Sequence, residues 1–174
     1  MISTRILTGD AVAGALDDLA RLRIAVFRDW PYLYDGDPDY ERDYLTAYLS
    51  PGAVVVAAYD GARVVGAATG APMEDHAGDF AAAFASRPEA LDDIYYCAES
   101  VLLPEYRGHG LGHAFFDGRE AQARALGRRR LVEPLGLAGI DGHAQALGVR
   151  ERGSRLGGGM ALARRLPIEV QGLV

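Results

Sequence analysis

Lysine is missing altogether from this 174-residue chain, although it holds 18 arginines. That excludes a phosphate loop of the G-x-x-x-x-G-K-[ST] type, whose lysine reaches the outer phosphates. A single cysteine, Cys97, excludes an internal disulfide and fits a reducing compartment. Its place in an apolar stretch indicates a buried structural thiol rather than a nucleophile. No apolar run approaches the ~20 residues that cross a membrane. The opening MISTRILTGD also has no apolar core of signal-peptide length. These two absences give the expectation of a cytoplasmic protein with no membrane partner. Aromatic residues are absent from the last 58 positions: all 15 Phe, Trp and Tyr lie at or before Phe116, while half of the 22 glycines fall after it. Arginine without lysine, amid much Ala and Gly, indicates a GC-rich bacterial genome.

Hydrophobic content of 49% and charged content of 24% are ordinary for a globular chain, and the length suits one domain. Such a domain buries about 70% of its unfolded surface. Charge is unevenly spread. Residues 1–116 carry 18 acidic residues against 8 arginines, a net of −10, and residues 117–174 carry 6 against 10, a net of +4. An acidic front half argues against a nucleic-acid partner and suits a cationic acceptor, although acidic surfaces also serve solubility alone.

The most informative stretch is residues 99–116, ESVLLPEYRGHGLGHAFF. An apolar run, Val101 to Leu103, is stopped by Pro104. Glycines then alternate at 108, 110 and 112, and a helical pattern begins at Leu111. A strand feeding a glycine turn that opens a helix is built to hold phosphate. Backbone N–H groups point at the ligand, the helix N-terminus adds partial positive charge, and glycine alone takes positive φ freely. The G-x-G-x-x-G dinucleotide pattern does not match, because these glycines alternate too closely. A bare tight turn, with glycine only relieving strain, is the competing reading.

The segment Leu103-Pro104-Glu105-Tyr106-Arg107-Gly108-His109-Gly110-Leu111-Gly112, with its R-x-x-G-x-G core, resembles the acyl-CoA signature of the GCN5-related N-acetyltransferase (GNAT) family. The resemblance covers residues 1–126. It implies a central mixed, mostly antiparallel sheet flanked by helices, in the α/β class. It implies acetyl-CoA as acyl donor, an amine acceptor, no metal, and a homodimer as is common in the family. Cofactor-binding residues carried over are Leu102, Leu103, Arg107, Gly108, His109, Gly110, Leu111 and Gly112. Leu102 and Leu103 fall beside the pantetheine arm, in the gap where the long strand leaves its neighbour. The backbone N–H near Ser100 falls where the thioester oxygen develops charge, usually the largest catalytic effect.

An amine nucleophile must lose a proton, so a base is required. Glu99 sits inside an otherwise apolar strand, where many family members carry an acidic residue. Burial there would raise its pKa toward a useful range. Pairing with an arginine, for structure only, is the other reading of Glu99. Tyr96 is the second candidate, ordering a water for the same task. His109 and His113 read as solvated histidines rather than catalysts.

The rest of the chain gives a coarse layout. Ile2 to Leu7 reads as a strand, and Asp10 as the N-cap of a helix with an apolar stripe from Val12 to Phe27. Ala53 to Tyr59 and Arg63 to Gly70 read as a hairpin through Asp60-Gly61. A mixed loop with a short helix around Phe80 to Ala85 follows. Ile94 to Leu103 is the long strand and Leu111 to Leu126 the next helix. In the segment from Trp30 to Tyr40, Asp35, Asp37 and Asp39 alternate. The calcium loop fails, since its sixth position would be Tyr40 and its twelfth Thr46. Two readings remain. One is a polar loop capping a helix that starts near Asp39 and holds Tyr44, Leu45 and Tyr48. The other, implied by the resemblance, is an acceptor wall in which Tyr32, Tyr34 and Asp35 meet an ammonium group.

The chain departs from the family pattern after about residue 127. The expected closing segment and its thiolate-protonating tyrosine are absent. The tail reads either as a divergent closing unit, with Gln145 to Val149 and Met160 to Leu166 as short elements, or as residues out of their original frame. A non-catalytic acyl-CoA-binding domain is therefore the alternative to the N-acetyltransferase reading.

Overall fold

The computed structural model describes residues 1–30, 32–78, 90–135 and 146–151, with side chains as far as Val132. Six strands form one sheet in chain order: β1 (Ile2–Leu7), β2 (Val54–Asp60), β3 (Arg63–Pro72), β4 (Ile94–Leu102), β5 (Arg130–Leu135) and β6 (Ala146–Glu151). Every neighbouring pair is antiparallel except β4 and β5, which are parallel. The expected mixed, mostly antiparallel sheet is present. The hairpin lies where Asp-Gly predicts it: Asp60 pairs with Arg63, and Gly61 takes φ 61.

β2 and β3 are the centre of the core. Val54 to Tyr59 and Val64 to Met73 are continuously buried, because helices cover both faces of the sheet. The helices are α1 (Asp10–Ala13), α2 (Leu16–Phe27), α3 (Pro38–Leu45) and α4 (Leu111–Ala125). On β3, Gly66 faces Phe115 and Gly70 faces Arg119, both on α4. Thr69, between them in the alternation, faces the other way, where its side chain bonds Tyr48. α2 and α3 pack together on that second face, with α2 against β3 and β4.

Two expectations about the first helix need correction. The N-cap is Gly9 (φ 47), with Asp10 in the first turn. The apolar stripe is also split into α1 and α2, with Gly14 and Ala15 between them. Spacing preserved the buried face across the break, so periodicity alone does not reveal it. The polar loop does cap α3, and the capping residue is Asp37: its carboxylate accepts from the N–H groups of Asp39 (2.9 Å) and Tyr40 (2.8 Å). Tyr48 lies in the 3₁₀ turn that follows, Thr46–Leu49. The predicted elements at Phe80 to Ala85 and Met160 to Leu166 lie outside the described residues. Beyond residue 127 the chain still builds sheet, and Leu131 and Val132 are buried in the core.

Gly118 sets how closely α4 lies on β2. A Cβ there would stand 2.6 Å from Val56 Cγ2 and 2.9 Å from Ile6 Cδ1. Gly118→Ala is expected to destabilise by about 1–2 kcal/mol despite the better helix propensity, read as a lower denaturant midpoint at unchanged m.

Asp93 fastens the start of β4 to the turn before β5. Its backbone carbonyl accepts from Arg129 N–H (2.9 Å), and its carboxylate takes Arg129 Nε (2.8 Å) and Arg130 (3.4 Å). The Arg129 hydrogen bond holds the Asp93 carboxyl below its ordinary range against the opposing effect of burial. A depressed carboxyl stabilises above its unfolded value and loses that contribution as pH falls through the folded one. Asp93→Asn is thus expected to lower Tm near neutral pH, with the gap to wild type closing below about pH 4.

Candidate active site

The site forms where the one parallel pair comes apart. β4 and β5 pair only at Ile94–Arg130, Tyr95–Leu131 and Tyr96–Val132, and then diverge while both strands continue. A bulge on β4 accompanies the separation. Gly70 pairs with Cys97 and Ala68 with Ser100, so Ala98 and Glu99 together oppose Thr69. Past the bulge, Leu103 N–H donates to Val65 O (3.0 Å), facing β3. Strand alternation turns the N–H groups of Leu102 and Ser100 the opposite way, into the gap that β5 has left.

The glycine turn stands at the mouth of that gap. Gly108 (φ 81) and Gly110 (φ 76) both take left-handed backbone, and Gly110 is the N-cap of α4 with no side-chain cap. Among the described residues, no acceptor takes the N–H groups of residues 108 to 112. Five successive donors are thus left for a ligand or solvent. A Cβ at Gly108, Gly110 or Gly112 would meet nothing within 4 Å, so no neighbouring protein atom demands glycine. The empty-turn reading accounts for two of the three glycines through positive φ, but not for Gly112 in the helix.

The turn is braced from outside. His109 Nδ1 stands 3.1 Å from Tyr106 O and 3.0 Å from Arg107 O, both acceptors, so this nitrogen carries the proton. Tyr106 donates its hydroxyl to Asp60 at the hairpin tip (3.1 Å), and burial together with that carboxylate pushes the phenol pKa up. Arg107 and His113 are exposed, whereas Leu103 and Leu111 are buried.

Glu99 is partly buried and is not alone in its apolar strand. Its carboxylate pairs with Arg23 of α2, and Arg23 Nε pairs with Glu41 of α3, which is 1% exposed. The guanidinium lies over the rings of Tyr44 (4.2 Å) and Phe27 (5.0 Å). Tyr34 lies close to Glu41, and burial first, then that carboxylate's charge, raise the phenol above its ordinary range. Tyr32 packs on Phe27 (4.8 Å) but is exposed, and Asp35 is exposed. Tyr96 is buried against His76 (5.2 Å), which also approaches Tyr48 (6.4 Å).

Behind Glu99 stands Arg119 of α4, 6% exposed, whose Nη1 lies 3.4 Å from Glu99 O. That carbonyl belongs to the same peptide as Ser100 N–H. A guanidinium on one end polarises the donor at the other and fixes its direction.

Sequence reading missed Arg23, Glu41, His76 and Arg119. A signal was available for the first two. Arg23 lies four residues after Leu19 and Glu41 four before Leu45, so each carries charge on a buried face. Among the described residues, no group of three or more His, Cys, Asp and Glu is placed to hold a metal, and no helix is long and apolar enough to cross a membrane.

The Acetyltransferase (GNAT) family profile matches residues 19–140, beyond the limit at 126 set by the resemblance. No curated protein matches the chain in sequence. Among solved structures, an N-acetyltransferase from Staphylococcus aureus Mu50 is similar at 14% identity and TM-score 0.56, over 81% of this chain and 77% of that one. AAC(6')-Iy bound to the bisubstrate analogue CoA-S-monomethyl-acetylneamine is similar at 13% identity and TM-score 0.57, over 81% and 84%. yncA from Salmonella typhimurium with its cofactor acetyl-CoA is similar at 14% identity and TM-score 0.53, over 77% and 69%. The split parallel pair, the uncapped glycine turn and the family match over most of the chain lead to one assignment: this protein belongs to the GNAT acetyltransferase family.

Proposed function

We propose that the protein transfers an acetyl group from acetyl-CoA to a primary amine of a small molecule or peptide by direct attack. The observation that carries this reading is the split of β4 from β5 beside five N–H groups that have no acceptor among the described residues. Together they offer an extended slot with a phosphate cradle at its mouth. Residues 108–112 would hold the pyrophosphate, and the β4 edge at Ser100 and Leu102 would hold the pantetheine arm. In similar proteins the donor is coenzyme A thioester, which supplies an activated acyl carbon.

Ser100 N–H is the donor proposed for the thioester oxygen as negative charge develops there. The Glu99 carboxylate takes the proton released by the attacking nitrogen, directly or through a water. Tyr96 is the second candidate for ordering that water. A C–N bond forms, the C–S bond breaks, and the thiolate leaves to be protonated. The loop around Tyr32, Tyr34 and Asp35 is proposed to meet the acceptor. Aromatic faces and carboxylates suit an ammonium group.

Calorimetric titration with acetyl-CoA, with free adenine nucleotides as controls, is the first test. A screen of amines for release of free CoA thiol follows. Micromolar binding of the whole donor with saturable turnover is expected. Binding without turnover on any amine would favour a non-catalytic acyl-CoA-binding domain, and no binding would sink both readings.

A further inference from the structure

The groups around Glu99 do not balance. Arg23 is a single guanidinium shared by two carboxylates, Glu41 from α3 and Glu99 from β4. Glu41 is the more deeply buried of the two, its side chain 1% accessible where it pairs with Arg23 Nε, so its place is fixed by packing. Arg23 is fixed as well, with the rings of Tyr44 and Phe27 against it. Glu99 is the member of the triad with residual exposure, its side chain 20% accessible. A charged group that must exchange protons with a ligand needs such exposure, and the other two lack it.

We propose that Arg23 and Glu41 are positioning residues that set the direction and charge state of the Glu99 carboxylate through their shared guanidinium. This rests on the reading of Glu99 as proton acceptor. Arg23 holds the carboxylate toward the second face of the sheet. Glu41 takes part of the guanidinium's attraction and adds a like charge, leaving Glu99 with an incomplete counter-ion. A fully paired carboxylate is a poor base and an unpaired buried one stays protonated. The triad holds Glu99 between these limits.

Other groups reach the same place from neighbouring elements. Thr69 Oγ1 lies 3.4 Å from Glu99 N–H on β3, and Arg119 approaches the Glu99 carbonyl from α4. Tyr48 and Tyr96 stand beside Thr69 and His76. Tyr48 also meets Tyr44, whose ring lies against the Arg23 guanidinium, so Glu41→Gln, which leaves that ring contact in place, is the cleaner of the two variants.

The test reads Glu99 directly, by following its side-chain carboxyl ¹³C shift with pH in the full-length protein. The signal is assigned by its loss in Glu99→Gln. Arg23→Gln is expected to move the titration midpoint of Glu99 upward, and Glu41→Gln downward, each by about one pH unit or more. The acid limb of kcat/KM is expected to move with each midpoint. Opposite shifts support the proposal. Unchanged midpoints, or shifts of the same sign, overturn it. Should Arg23→Gln not fold, Glu41→Gln decides alone, a downward shift supporting the proposal and any other result overturning it. Opposite NMR shifts in a protein with no turnover would leave the triad standing and remove the catalytic reading. Turnover with an unmoved Glu99 would do the reverse.

Discussion

Glu99→Gln is expected to lower kcat for amine acetylation by about 10²–10⁴-fold, the usual worth of a positioned proton acceptor. The shape of the side chain is kept, and the loss of charge leaves Arg23 paired one-to-one with Glu41. No buried charge is orphaned, so Tm is expected to stay within a few degrees of wild type. Binding of acetyl-CoA should be unaffected, because the proposed contacts along β4 are backbone N–H groups at Ser100 and Leu102. Steady-state kinetics beside calorimetry checks all three. Unchanged turnover would remove Glu99 from the mechanism and leave Tyr96 as the candidate. A large fall in Tm would point instead to the structural reading, in which the carboxylate serves only Arg23.

Gly110→Val is expected to weaken acetyl-CoA binding by about tenfold or more. Gly110 holds φ 76 at the N-cap of α4, and a left-handed conformation costs an L-residue about 1–2 kcal/mol, more when it is β-branched. The new side chain would have room, since no atom lies within 4 Å of its Cβ. The cost therefore falls on the backbone, and the turn relieves it by rotating away from the arrangement that aligns the N–H groups of residues 108–112. Gly112→Ala makes the contrast. Gly112 lies inside α4 without positive φ and also has open space around a Cβ. Alanine there should raise stability by about 0.5–1 kcal/mol while lowering donor affinity, because the methyl group keeps phosphate from the helix N-terminus. Calorimetry paired with thermal melts reads both. Undiminished binding in both variants would mean the turn is not the phosphate cradle.

Local chemistry made much of this molecule legible before folding. Asp60-Gly61 between two apolar runs fixes a hairpin because a two-residue turn needs positive φ, which Gly61 supplies. Asp37 caps α3 because its carboxylate reaches N–H groups two and three residues on. The glycine turn was readable for the same reason, since Gly108 and Gly110 both take the positive φ that the turn requires; its service as a phosphate cradle is the proposal above. The family match over residues 19–140 agrees with the resemblance that this turn carries. The N-cap of α1 was misread because Asp10 and Gly9 are both acceptable caps, and the choice depends on how the chain leaves β1.

By itself, then, the sequence determined the first four strands, most of the helices and the glycine turn, because propensity, capping and turn formation act over a few residues; β5 at Arg130–Leu135 carried no local signal that placed it. Only the tertiary structure decided the rest. The separation of β4 from β5 after Tyr96 depends on two strands that the whole of α4 divides, and no local pattern states where their pairing ends. The bulge at Ala98 and Glu99, which turns Ser100 N–H into the gap, exists only against its partner Thr69. The setting of Glu99 was likewise invisible. Arg23 and Glu41 come from separate helices 18 residues apart, and packing both on one face of the sheet turned a carboxylate in an apolar strand into a member of a charged triad. Burial strengthens such pairings because water is excluded from around the charges, and burial belongs to the folded whole.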